Sequence, residues 1–81
     1  MRRPLTTRER DVLALIIAGC TNRQIAQILD IAETTVKRYI NKLLDKFDAL
    51  NRTQLAALAL TDGVISIDLV GSVLANRQPT A

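Results

Sequence analysis

The chain has 81 residues, enough for one small domain, and only Tyr39 and Phe47 are aromatic, so its core must be aliphatic. It holds no histidine and a single cysteine, Cys20, which excludes an internal disulfide and effectively excludes a zinc site or a histidine-dependent catalytic triad. The formal net charge is +3 and unevenly placed: residues 1–52 hold ten Lys/Arg against six Asp/Glu, whereas residues 53–81 hold one against two. A basic surface of this kind suits phosphate, although a merely solvated helical face carries similar charge.

Residues 1–4 read as a flexible arm, because Pro4 interrupts any helix there. Thr6-x-x-Glu9 is a capping box and opens a first helix, whose expected buried stripe is Val12, Leu13, Ile16 and Ile17, with Arg8, Asp11 and Ala14 outside it. Gly19 follows as a C-cap signal. Thr21-x-x-Gln24 opens a second helix with Ile25, Ala26, Ile28 and Leu29 inward, and Asp30 ends it. The turn Asp30-Ile31-Ala32 leads into a third helix over 33–47. There Val36, Ile40, Leu43, Leu44 and Phe47 make one apolar ridge, leaving Thr34, Lys37, Arg38, Asn41 and Asp45 outside it.

Leu50, in the short link that follows, is expected to fold back onto the core. Asn51-x-x-Gln54 then caps a fourth helix over 52–61. Leu55, Leu58 and Ala59 suit the core, but Ala57 and Leu60 are apolar in excess of one buried face, which points to a second contact surface and a dimer seam. Asp62-Gly63 ends that helix. In the tail, Val64-Ile65 are expected to tuck against the core, and residues 68–75 to make a helical turn or two interrupted by Gly71, with 76–81 disordered. The expected organisation is a helical domain over 5–63 with a partly disordered extension over 64–81.

A short capped helix, a tight turn and a longer helix with a basic face is the layout of a DNA-reading helix-turn-helix. Lys37, Arg38 and Asn41 are the candidate base-facing residues, since Lys and Arg donate to guanine O6 and N7 and Asn pairs with adenine N6 and N7. Thr21, Asn22, Arg23, Thr34, Thr35, Lys42 and Arg52 are candidates for the DNA backbone, with Arg8, Arg10 and Lys46 as further cations. No constellation carries covalent chemistry, so an enzyme is not expected, nor a cofactor or metal. No apolar run is long enough to span a bilayer, and a cytoplasmic chain without a membrane partner is expected.

Leu5-Thr6-x-Arg8-Glu9-x-x-Val12-Leu13, Gly19-x-Thr21-Asn22-x-x-Ile25-Ala26-x-x-Leu29, Ile31-Ala32-x-x-Thr35-Val36-Lys37 and Asn51-Arg52-Thr53-x-x-x-Ala57 closely resemble the LuxR/FixJ/GerE-type helix-turn-helix, the effector domain of NarL-like response regulators. The resemblance covers residues 5–61. It implies an all-α, compact four-helix helix-turn-helix domain; the tail after Gly63 falls outside the match, and its residues leave room for a short extra helix. It implies a transcription regulator in a two-component system that binds double-stranded DNA as a homodimer, with the third helix in the major groove. Gln54, Ala57, Leu58, Leu60 and Thr61 of the fourth helix are then the expected dimer interface. Ala32 departs from the family's usual capping Ser, Asp30 from its usual turn Gly and Asn51 from a usual Ser. A receiver or ligand-binding domain is not part of these residues, which fits either an output domain or a stand-alone regulator. The alternatives are a promoter-reading domain like region four of a sigma factor, with RNA polymerase as partner, or a fourth-helix interaction module without DNA binding.

Overall fold

Local capping chemistry sets the helix boundaries. The computed structural model of the chain describes residues 4–75, which form five α-helices and no strand: α1 (Thr7–Ile17), α2 (Asn22–Leu29), α3 (Glu33–Phe47), α4 (Arg52–Thr61) and α5 (Ile67–Ala75). The expectations for residues 1–3 of the arm and for residues 76–81 fall outside the described residues. At α1 the Glu9 amide donates to the Thr6 hydroxyl at 3.1 Å, and the Thr6 amide donates back to Glu9 Oε1 at 2.9 Å. Thr21 and Gln24 repeat this at α2, at 3.1 and 2.8 Å. Each box satisfies amides that a helix start otherwise leaves unpaired. At α4 the Gln54 amide donates to Asn51 Oδ1, while Gln54 Oε1 reaches one residue further back to accept from the Leu50 amide.

α3 starts without such help. Ala32 has the extended backbone of an N-cap, φ −73° and ψ 150°, but no side chain to accept an amide. Ala32→Ser is therefore expected to stabilise the domain by about 1 kcal/mol. That raises the melting temperature by roughly 4–8 °C for a chain of this size, and an unchanged melting temperature would refute the cap argument. The helix ends are turned by Asp30 at φ 57° and Asp48 at φ 53°, both left-handed, a conformation that a short polar side chain tolerates better than a β-branched one.

The core is built around α1, which packs against α2, α3, α4 and α5. That arrangement corrects the expected stripe. Ala14 lies fully buried together with Val12, Leu13 and Leu15, while Ile17 is only partly buried. A helix with neighbours on several sides has no broad solvent face, so single-face periodicity understates its burial.

Two further expectations are corrected. Leu50 does not fold back: it is 85% exposed. The left-handed turn at Asp48 and the bond from the Leu50 amide to Gln54 hold that link outward. Gly71 does not interrupt the tail, because α5 runs continuously through it and docks on α1 with Val70 and Val73 buried. Glycine in a helix costs about 1 kcal/mol relative to alanine, less than the roughly 1.5–3 kcal/mol gained by burying one large aliphatic side chain. Ile65 joins the same core at 2% exposure, as expected.

A partly buried ion pair joins distant elements. Lys46 Nζ, near the end of α3, donates to Glu9 Oε1 at 2.7 Å and to the Pro4 carbonyl at 3.1 Å. Burial alone would raise the Glu9 carboxyl. Hydrogen bonds from Lys46 and from Thr6, with the Lys46 charge, outweigh it and hold the group below its ordinary value. Lys46, a sequence candidate for the DNA backbone, is thus engaged inside the fold.

Candidate nucleic-acid interface

The rotation of α3 follows from its apolar ridge. Val36, Ile40, Leu43 and Phe47 are all buried, and the helix packs against α1, α2 and α4. Residues on the far side are thereby turned outward: Thr34, Lys37, Arg38, Asn41 and Lys42 are exposed. Positions 34, 37, 38 and 41 follow the three-and-four spacing of a single helix face. The three side chains expected to face bases thus share one open surface carrying two positive charges. Thr35 and Tyr39 are half-buried at its margin and line a small groove with Arg38 and Lys42.

α2 reaches α3 through the turn at Asp30 and packs along it. Its N-terminal end presents exposed Thr21 and Arg23, with Asn22 half-buried. These residues border a shallow depression shared with Glu33 and Arg52. Amides at a helix start, with positive side chains beside them, suit an anionic oxygen.

The other candidates divide by what already holds them. Arg52 is half-buried and donates to Asn22 Oδ1 and to the Cys20 carbonyl. Arg8 lies 3.9 Å from Asp11, a loose surface pair. On α4, Gln54, Ala57, Leu60 and Thr61 are exposed and Leu58 is half-buried, so the apolar excess noted in the sequence does face outward. Sequence reasoning missed the link from Arg52 to Asn22 and Cys20. Thirty residues separate Arg52 from Asn22, and no local pattern signals such a contact. Among the described residues, no helix is long and apolar enough to cross a membrane.

The short capped α2, the left-handed turn at Asp30 and the outward basic face of α3 define a helix-turn-helix domain. The family model for bacterial regulatory proteins of the luxR family matches residues 3–59, and the chain belongs to that family. The family is one of transcription regulators and not of enzymes. The probable transcriptional regulator ycf29 of Porphyra purpurea is 39% identical over 62 residues, covering 76% of this chain and 30% of that protein. The DNA-binding transcriptional activator DevR/DosR of Mycobacterium tuberculosis is 47% identical over 55 residues, 68% of this chain and 25% of that one. A solved VqmA dimer of Vibrio cholerae, a LuxR-type receptor, superposes with a TM-score of 0.74 at 40% identity, covering 83% of this chain and 32% of that chain. The chain therefore spans about a third or less of the length of these relatives. α5 lies beyond the residues that the family model matches.

Proposed function

We propose that this chain binds double-stranded DNA sequence-specifically as a homodimer, as the output domain of a two-component response regulator. The observation that carries the reading is the exposure of Lys37, Arg38 and Asn41 on one face of α3, opposite the buried Val36, Ile40, Leu43 and Phe47. In this reading α3 enters the major groove, where those three side chains meet base edges. Thr21, Asn22, Arg23, Thr34, Thr35 and Lys42 lie around them for the phosphates. The α4 face of Gln54, Ala57, Leu58, Leu60 and Thr61, apolar beyond what the core buries, joins two copies; that a LuxR-type relative, VqmA, is a dimer supports a two-copy reading. The likeness to NarL-like effector domains supports the response-regulator setting.

Selection of bound sequences from random duplex DNA tests this directly. The expected result is a pair of related half-sites in inverted order at fixed spacing, as two-fold protein symmetry requires. Affinity for the selected site should fall by roughly 10³ between 50 and 200 mM salt if about six phosphates are neutralised per dimer. Failure to enrich any sequence would overturn the reading, and a lone half-site would overturn the dimer.

A further inference from the structure

One side chain ties the start of α4 to the start of α2. Arg52 donates through Nη1 to Asn22 Oδ1 and through Nη2 to the Cys20 carbonyl. Its two acceptors flank Thr21, whose hydroxyl caps α2. The guanidinium therefore grips the chain on both sides of the cap, and its fixed fork suits two acceptors held at once.

The chemistry of the donor also fixes the Asn22 carboxamide. Arginine has five N–H donors and no acceptor. Asn22 must present its oxygen to Arg52, which leaves the two protons of Nδ2 for another partner. Asn22 also lines the depression bordered by Thr21, Arg23 and Glu33. Around that depression the Arg23 and Arg52 cations outnumber the Glu33 carboxylate. A phosphate has only acceptor oxygens, so an asparagine offering protons fits it and one offering oxygen does not.

We propose that Arg52 is a positioning residue for DNA binding: it holds the α2 N-terminus against α4 and orients Asn22 so that Nδ2 donates to a backbone phosphate. This rests on the DNA-binding reading above. It assigns Arg52 an indirect part in binding and makes Asn22 a donor whose orientation is imposed from α4. Because α4 is also the proposed dimer seam, the same contact keeps the phosphate-facing end of α2 in register with the second copy.

The test uses Asn22→Asp, Arg52→Lys and a charge control, Gln27→Glu, which adds the same charge at an exposed α2 position away from the depression. The probes are the duplex recovered by selection and a random-sequence duplex of equal length. Asn22→Asp keeps the oxygen for Arg52, so its melting temperature should hold or rise. It loses both protons and sets a negative charge toward the phosphate, so affinity should fall at least about tenfold. The loss should be equal on both duplexes, because a backbone contact carries no sequence information. Arg52→Lys keeps the charge but not the fork, and should bind about three- to tenfold more weakly. The proposal is overturned if Asn22→Asp binds no more weakly than Gln27→Glu, if its loss is confined to the selected duplex, or if its melting temperature falls. It is also overturned if Arg52→Lys binds like the wild type. A wild type that binds neither duplex sinks the DNA reading itself, and this proposal with it.

Discussion

Replacing Lys46 with methionine is expected to cost the domain about 2–3 kcal/mol at neutral pH, a large share of the 5–15 kcal/mol that holds a typical small domain folded. The side chain of Glu9 is 4% exposed and that of Lys46 15%. Losing the ammonium leaves a carboxylate inside the fold with only the Thr6 cap to solvate it. Breaking a fully buried pair by removing one partner costs about 3–5 kcal/mol. The lower figure applies here because Lys46 sits at the rim, where water can partly replace it. Glu9→Gln should cost less, since it leaves an ammonium that already touches solvent and keeps an oxygen for the Thr6 amide. Adding Glu9→Gln to Lys46→Met should recover part of the loss, because the orphaned charge is gone. Urea titration of the four proteins measures this cycle, and equal costs for the two single substitutions would refute the asymmetry.

The same pair sets an acid limit. The folded-state value of Glu9 lies below its ordinary one, so the stability it contributes is fully present above the unfolded value, about 4.3. That contribution is lost as pH falls through the lower, folded value. In Lys46→Met the carboxyl takes a proton more readily. The stability difference between the variant and the wild type should therefore shrink as pH falls from neutral into the ordinary carboxyl range and below it. A difference constant from neutral pH to that range would show that the pair is not charged in the folded domain.

The parts of this structure that a reader of the sequence can see are those governed by neighbours in the chain. Thr6 with Glu9, Thr21 with Gln24, and Asn51 with Gln54 are three residues apart, and each marks a helix start correctly. The ridge from Val36 to Phe47 is legible for the same reason, and it carries the outward placement of Lys37, Arg38 and Asn41. What is not legible depends on partners far along the chain. Ala14 is buried because α1 is surrounded, which no stripe on α1 alone can show. Lys46 resembles any other cation of the basic face until Glu9, 37 residues earlier, is brought beside it. α5 persists through Gly71 because α1 offers it a surface, so docking decides where propensity alone predicts a break. Leu50 errs in the other direction: its apolar character suggests the core, but the turn geometry holds it in solvent.

The largest expected effect on the proposed function belongs to Arg38. Its side chain is exposed, so Arg38→Ala should leave stability within about 0.5 kcal/mol. Against the selected duplex, each lost base contact should cost about 1–3 kcal/mol. A two-fold dimer loses the contact twice, so affinity should drop by roughly two orders of magnitude or more. Lys37→Ala should behave alike, at a different position of each half-site. The distinguishing result is where the loss appears. Removing a base reader relaxes the preference at one base pair and barely changes binding to random DNA, whereas Lys42→Ala should weaken binding to all duplexes alike and lower the salt slope. Repeating the selection with Arg38→Ala separates the two, because only a base reader changes the recovered sequence. If the Arg38→Ala and Lys37→Ala proteins both recover the wild-type site with wild-type affinity, the outward face of α3 is not the reading surface. The exposed apolar side of α4 would then be the stronger guide to what this domain binds.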